Sequence, residues 1–239
     1  RVPGHSTGVS RFLENIVTPL AASGEFQFIL FTHQPDAVPA KLSGIGGVQV
    51  HALSRNQTQW VDQVVLPWLA AARKAHLFFS PYQRGPRFCR IPVILTVHDM
   101  TFLRLSTTNR LSRALARFQF EAGLNRAERA ITVSKFTERD LIDMFPEAAG
   151  KTIVLYSDMG EDWYRLLRDR SPTESELFPD ASRLGSFFLY VGNFKPHKNV
   201  DMLVKAYSRA RRAGHLGEHK LVLVGGDEAN MSRVRHLIR

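Results

Sequence analysis

Two hydrophobic periods alternate along the chain, which predicts repeated strand and helix units. Short apolar runs rich in β-branched and aromatic side chains predict strands at residues 26–32, 48–52, 77–79, 92–97, 130–133 and 152–156. Amphipathic segments between these runs predict helices at residues 10–22, 59–75, 109–127 and 137–144. Such alternation is typical of α/β proteins with parallel sheets.

A polar stretch without a sustained period, residues 166–185, is typical of a domain linker. After it the alternation restarts, with strands at 187–191 and 220–224, a helix at 200–213 and another from about Asn230. We therefore expect an N-terminal domain at 1–165, the linker at 166–185, and the start of a second domain at 186–239. Two strands cannot bury both faces of a sheet, so we expect that second domain to be incomplete.

Composition is that of a globular protein with a sizeable core, since 44% of the 239 residues are apolar. No run of 18 apolar residues predicts a membrane-spanning helix. The single cysteine, Cys89, excludes an internal disulfide and a cysteine-based metal cluster, which fits a reducing compartment such as the cytoplasm.

The charge balance is basic, with a formal net charge of +10. Residues 83–117 contain seven arginines and one acid, Asp99. Nucleic acid, anionic lipid head groups and phosphorylated small molecules are candidate partners for such a surface, and a solvated basic face is the alternative. Nucleic acid is the weakest of the three, because no zinc-finger spacing or RNA-binding aromatic signature accompanies the arginines.

The predicted helix at 109–127 is amphipathic and basic. One face holds Arg110, Arg113 and Arg117, and another holds Leu111, Leu115, Phe118 and Ala122. We favour an ordinary helix that packs its apolar face on the core over a contact with a membrane surface.

Ligands of parallel α/β sheets bind beyond the carboxyl ends of the strands, where His98 and Asp99 directly follow an apolar strand. They could hydrogen-bond a sugar or phosphate, and a histidine can also transfer a proton near neutral pH. Alternatively, His98 caps the strand and Asp99 begins a turn.

Ser134 also follows a strand, but residues 137–140 indicate a capping box, so we interpret Ser134 as structure at the start of the next helix.

A second strand-end loop, residues 192–199, combines Gly192 with Lys195 and Lys198 before a helix for which Asn199 is a natural N-cap. Positive charge beside a helix N-terminus suits a diphosphate, although a loop with merely solvated lysines is the alternative. A third loop, at residues 7–11, places Gly8 at the expected end of a strand upstream of the chain.

Four stretches in this order, residues 7–12, 96–100, 131–141 and 189–200, resemble the retaining GT-B glycosyltransferases related to glycogen synthase, sucrose synthase and bacterial mannosyltransferases. The resemblance implies two Rossmann-like domains, here truncated at both ends, with the donor bound mostly by the second. It implies that His98 contacts the donor sugar and that Lys198 neutralises the diphosphate. We group Asp99 with His98 as catalytic, and Gly8, Gly192, Asn193 and Lys195 with Lys198 as donor-binding.

The resemblance further implies a nucleotide-sugar substrate, a saccharide or lipid-linked acceptor, and neither cofactor nor metal. We expect a cytoplasmic enzyme of cell-surface polysaccharide or glycolipid synthesis, with a peripheral position at the inner membrane face as a variant. Alternatives are a sugar-nucleotide epimerase or phosphorylase of the same fold, and a non-catalytic module that binds an anion or a partner. The family's paired glutamates would lie beyond Arg239, so we expect the 239 residues alone to be inactive. From the two-domain arrangement we expect His98 and Lys198 to face one cleft.

Overall fold

A computed structural model of the chain describes residues 8–53, 60–104, 109–160, 164–165, 168, 184–225 and 228–238. The chain divides into two units, residues 1–163 and residues 164–239. Most of the predicted linker at 166–185 lies outside the described residues, so its boundaries stay a prediction.

Unit 1 alternates strands and helices as the hydrophobic pattern predicts. Its strands are β1 (Phe28–Thr32), β2 (Val48–Ala52), β3 (Phe78–Ser80), β4 (Val93–Val97), β5 (Arg129–Thr132) and β6 (Thr152–Val154). Its helices are α1 (Gly8–Ala22), α2 (Ala40–Ser43), α3 (Leu66–Ala72), α4 (Thr101–Arg104), α5 (Arg110–Arg126) and α6 (Lys135–Met144). Helices α2 and α4 have four residues each and are too short to show a helical period.

All described strand pairs are parallel, which confirms the predicted α/β class. In unit 1, β1 pairs with β2, and the other strands form a four-stranded sheet in the order β3-β4-β5-β6. The order follows the chain within that sheet, so the loops after β3, β4 and β5 emerge at one edge.

The core of unit 1 forms between the four-stranded sheet and helices α5 and α6, and β4 is its most deeply buried strand. Val93, Leu95 and Val97 of β4 are fully buried. An aromatic chain continues the core, since the ring of Phe120 lies 5.4 Å from that of Phe102 and 5.1 Å from that of Phe145. Cys89 belongs to this core, and burial raises the pKa of its thiol.

Helix α5 does not pack the face that its sequence pattern suggests. Leu111, Leu115 and Phe118 are 79%, 53% and 60% exposed, and the buried side of the helix is instead Phe120, Gly123 and Leu124. The prediction of a core-facing leucine face was therefore wrong for the first half of α5. The core-facing residues, which include the partly buried Ala116, lie on the side of the helix opposite Leu111 and Leu115.

Glycines permit the close approach of α5 to the loop after β3. A β-carbon on Gly123 would lie 3.0 Å from the carbonyl oxygen of Gly85, and one on Gly85 would lie 3.2 Å from that of Gly123. Both distances are shorter than ordinary van der Waals contact, and both neighbouring atoms belong to the backbone. The contact therefore requires glycine on each side.

We expect Gly123→Val to lower the free energy of unfolding of unit 1 by about 1–3 kcal/mol, because a branched side chain must push two backbone segments apart. Urea unfolding monitored by circular dichroism measures the loss. Ser112→Val places the same β-branched residue on an exposed position of α5 and is the matched control. A loss no larger than that of the control would contradict the close contact.

The predicted helices at 10–22 and 59–75 differ in form from the structure. Helix α1 begins at Gly8, so the predicted loop at 7–11 is, within the described residues, the first turn of a helix. The predicted helix at 59–75 is a π-helical turn at Val61–Val65 followed by α3. Pro67 explains that change, since proline cannot donate to the helical ladder and its ring crowds the preceding turn.

Unit 2 is a smaller α/β arrangement. Strands β7 (Phe187–Val191) and β8 (Lys220–Val224) are parallel, and α7 (Val200–Arg212) and α8 (Glu228–Ile238) accompany them. Its core is Phe194, Val200, Val204 and Val234. On the opposite face of the sheet from Tyr190 and Leu223, the side chains of Leu189, Val191 and Val224 are exposed.

Candidate functional site

In unit 1, His98 lies at the strand-end edge that its position after β4 predicts. The ring is half-buried, and its Nε2 atom lies 2.9 Å from the carbonyl oxygen of Pro81, which follows β3. A carbonyl oxygen only accepts hydrogen bonds, so Nε2 carries a proton and donates. In the neutral ring Nδ1 is then an acceptor, available to a ligand hydroxyl.

An aromatic contact holds the other side of the imidazole. The buried ring of Phe12, on α1, meets His98 edge to face, with centroids 5.2 Å apart and planes at 82°. This contact brings the first turns of α1 close to the end of β4. Gly8 opens the same helix, and a β-carbon there would meet no atom within 4 Å. Internal packing therefore does not require glycine at position 8.

A hydroxyl network ties α6 to the backbone of His98. Ser134 is the N-cap of α6, and its Oγ accepts from the backbone N–H of Thr137 at 3.1 Å. The buried Thr137 Oγ1 donates in turn to the carbonyl oxygen of His98 at 3.3 Å. The interpretation of Ser134 as helix-start structure agrees with this geometry, although the cap is Ser134 itself and the helix begins two residues before Thr137.

Asp99 has a local partner. It is exposed, and its Oδ1 accepts from the backbone N–H of Thr101 at 2.8 Å, which caps the short helix α4. At the other end of α4, the guanidinium of Arg104 binds both carboxylate oxygens of the buried Asp140 on α6. This pairing raises the pKa of Arg104. The segment after His98 is thus fastened to α6 by an ion pair between residues distant in sequence.

In unit 2, the backbone of the loop at 192–199 is held by contacts with β7, α8 and the core. The hydroxyl of Tyr190 donates to the carbonyl oxygen of Asn193 at 2.8 Å, and the side chain of Phe194 is buried in the core. Arg233 of α8 donates to the carbonyl oxygen of Phe194 at 3.0 Å and pairs with Asp201 at 3.1 Å. These contacts fix the loop backbone and leave the lysines outside the core.

The carboxyl ends of β7 and β8 approach each other closely at two glycines. The backbone N–H of Gly192 donates to the carbonyl oxygen of Val224 at 2.9 Å. A β-carbon on Gly225, whose φ is 109°, would collide with the carbonyl oxygen of Gly192. A β-carbon on Gly192 would lie 3.0 Å from the hydroxyl at the end of the Tyr190 side chain, and the donor-binding role of Gly192 stays a prediction.

The exposed part of the loop carries the positive charge. Lys195 precedes a 3-10 turn, Pro196–Lys198, and Lys198 ends that turn directly before Asn199. Asn199 leads into α7, but with a φ of 52° and no side-chain cap, so its predicted N-cap hydrogen bond is absent. A left-handed residue is needed where the tight turn passes into the helix, and asparagine tolerates that conformation better than most residues. The assignment of Lys198 to a diphosphate, and a shared cleft with His98, stay predictions.

The residues that hold His98 in unit 1, and those that hold the loop at 192–199 in unit 2, were not predicted from the sequence. These residues position predicted residues or the segments next to them, and no motif in the sequence identifies the contacts. They are Phe12, Arg104, Thr137, Tyr190 and Arg233. Among the residues that the structure describes, no group of three histidine, cysteine or carboxylate side chains could hold a metal ion. No helix in the described ranges is long and apolar enough to cross a membrane.

Two solved structures are similar to the chain to different degrees. A crystal structure of Alr3699/HepE from Anabaena, in complex with UDP and glucose, matches with a TM-score of 0.63 at 17% sequence identity, over 98% of this chain and 62% of that one. A glycosyltransferase from Rickettsia africae ESF-5 matches with a TM-score of 0.49 at 12% identity, over 96% of this chain and 68% of that one. The chain thus spans 62% of the length of HepE, and the likeness shows the fold.

The comparison confirms the predicted fold class, which is α/β of the GT-B type with parallel sheets. No curated protein matches the chain. The sequence model of Glycosyltransferase Family 4 matches residues 6–157, which include Gly8, His98, Asp99 and the capping network of α6. That match covers more than half of the chain, and the chain accordingly belongs to glycosyltransferase family 4.

Proposed function

We propose that the protein transfers a sugar from a nucleotide-diphosphate donor to an acceptor hydroxyl, with retention at the anomeric carbon. The observation that carries the proposal is the family match over residues 6–157 together with the half-buried His98 at the end of β4. HepE, which has the same fold, binds UDP and glucose, and this supports a nucleotide sugar as donor.

In the proposed reaction the bond between the anomeric carbon and the diphosphate oxygen breaks, and a bond from that carbon to the acceptor oxygen forms. The acceptor proton leaves with the nucleoside diphosphate. His98 orients the donor sugar, since Nε2 is engaged by the carbonyl of Pro81 and Nδ1 faces no assigned protein partner among the described residues. Lys198 and Lys195 stabilise the diphosphate as negative charge develops on it.

The acceptor is a saccharide or a lipid-linked saccharide, and the product belongs to a cell-surface polysaccharide or glycolipid. No metal is part of the proposal, because the lysines of the loop supply the positive charge that a divalent cation would otherwise provide. Asp99 acts indirectly, by capping α4 and so fixing the chain after His98.

The test is a transfer assay with radiolabelled nucleotide sugars and a panel of saccharide and lipid-linked acceptors. We expect donor-dependent product from the full-length protein and none from the 239 residues alone, because orienting a donor needs contacts to base, ribose and sugar as well as phosphate. Donor epimerised without transfer, sugar 1-phosphate released in the presence of phosphate, or no turnover with any donor would overturn the proposal. Product from the 239 residues would overturn the requirement for further donor contacts.

A further inference from the structure

An apolar ridge stands exposed along the first half of α5. Leu111, Leu115 and Phe118 lie at a helical spacing of four and three residues, and each is more than half exposed. Phe88, in the loop between β3 and β4, is 67% exposed. The guanidinium of Arg87 lies 5.5 Å from the ring centre of Phe88 and 5.8 Å from that of Phe118, so it links the two rings into one surface. We call these four apolar side chains the α5 ridge.

A cavity with a largely apolar lining and three arginines at its wall lies beside the ridge. It has a volume of about 290 Å³ and is lined by Arg110, Arg113 and Arg117 of α5, with Leu103, Ala114 and Met144 as apolar walls. The three arginines are spaced three and four residues apart and therefore lie on one side of the helix, next to the ridge. Arg117 is held in place, since it donates to the carbonyl oxygen of Met144 at 3.1 Å and stacks on Phe145 at 4.6 Å.

The acids near the cavity walls have cationic or backbone partners of their own, and Asp143, next to the lining residue Met144, raises the pKa of Arg104. Residues 83–117 contain a single acid, Asp99, and its carboxylate is occupied in capping α4. Asp140 is buried and already neutralised by Arg104. Within the described part of the chain, Arg110 and Arg113 make no ion pair, so their charge is available to an anion from outside.

We propose that the α5 ridge and its arginine cavity form a docking surface for an anionic phospholipid bilayer. Exposed leucine and phenylalanine side chains enter the boundary between head groups and acyl chains, while flanking arginines remain among the head groups. The cavity has the chemistry of a lipid phosphate site, because arginine binds phosphate oxygens bidentately and the apolar walls suit the adjoining glycerol and chain.

Two features favour a bilayer over a protein partner. The ridge protrudes from a helix and is bordered by cations, which matches a soft, anionic and partly apolar surface better than a shaped pocket. The arginines also lie on one flank of the ridge, at the height where a half-inserted helix meets phosphates. This inference concerns unit 1 alone and does not depend on the proposed transfer reaction.

The test is co-sedimentation of the full-length protein with vesicles of phosphatidylcholine, either alone or mixed with phosphatidylglycerol. We expect binding to the mixed vesicles and little binding to phosphatidylcholine alone. Replacing Arg110 and Arg113 by glutamine should weaken binding to the mixed vesicles by about tenfold or more, given the contribution of each surface arginine to binding an anionic membrane. Arg209 and Arg212 of α7, replaced by glutamine, remove equal charge elsewhere and should change binding much less.

The ridge is tested separately with Leu111→Ser and Leu115→Ser combined, against Met202→Ser on the exposed side of α7 as control. The leucine variant should lose most vesicle binding while keeping the wild-type unfolding midpoint, since these side chains are exposed. Equal binding to neutral vesicles, no vesicle binding, or a ridge variant that changes only self-association or nucleic-acid binding would overturn the proposal.

Discussion

His98→Ala is expected to lower the turnover of the proposed sugar transfer by about a hundredfold, the size of effect that misplacement of a substrate at the reacting centre produces. Affinity for the free nucleoside diphosphate should fall far less. The reason is the place of His98 in the family unit at residues 6–157, where the resemblance puts it against the sugar rather than the base. Steady-state kinetics give the turnover, and calorimetry with the nucleoside diphosphate gives the affinity.

Thr137→Val is the control for a purely structural effect. It removes the hydrogen bond to the carbonyl oxygen of His98 but keeps the imidazole and its contact with Pro81. Its turnover should stay within a few-fold of wild type, and both variants should be compared at equal fraction folded. If nucleotide affinity fell in step with turnover in His98→Ala, the histidine would have a phosphate-binding or structural role instead.

Lys198→Ala is expected to weaken binding of the nucleoside diphosphate by about 1.5–3 kcal/mol, the size of a charge-assisted hydrogen bond to phosphate. Lys195→Ala should cost less. Lys198 ends the 3-10 turn and lies directly before Asn199, the residue that precedes α7, whereas Lys195 lies before that turn. Charge next to the helix start adds to the field of the helix dipole, which falls off within one turn.

Lys205→Ala removes an exposed charge further along α7 and should leave the affinity close to wild type. Calorimetric titration of all three variants, at one fixed ionic strength, separates the local contact from the general attraction of a basic protein. Equal affinity in wild type and Lys198→Ala would refute the assignment of the diphosphate site.

Hydrophobic periodicity predicted the elements well where an apolar run ends sharply. Strands β2, β7 and β8 have their predicted bounds, since each run is closed by residues that leave the strand pattern. The beginnings of α1 and α6 were placed two residues late. For α6 the reason is that a cap is set by which N–H groups a side chain reaches, and Ser134 reaches that of Thr137. Helices α2 and α4 are shorter than the window over which a period can be recognised.

The candidate site was predictable only in part. Residues at strand ends could be located because parallel strands share an edge, which placed His98 correctly beyond β4. The contacts that support the site could not be predicted in this way. Arg104 meets Asp140, and Gly85 meets Gly123, although more than 30 residues separate the members of each pair and no sequence motif links them. For α5, the helical period distinguishes two faces but does not show which of them packs on the core. The leucine face was therefore assigned to the core, although it is exposed.

The burial of Cys89 has a practical consequence for spectroscopy. It is the one thiol in the sequence, it lies in the core of unit 1, and a raised pKa leaves little of the reactive thiolate near neutral pH. A cysteine introduced at an exposed position, such as Lys195 or Asp99, would therefore be modified selectively by maleimide reagents without replacement of the natural residue. A pair of such positions, one in each unit, would carry two fluorophores or spin labels. The distribution of distances between the strand-end loops of the two units could then be measured.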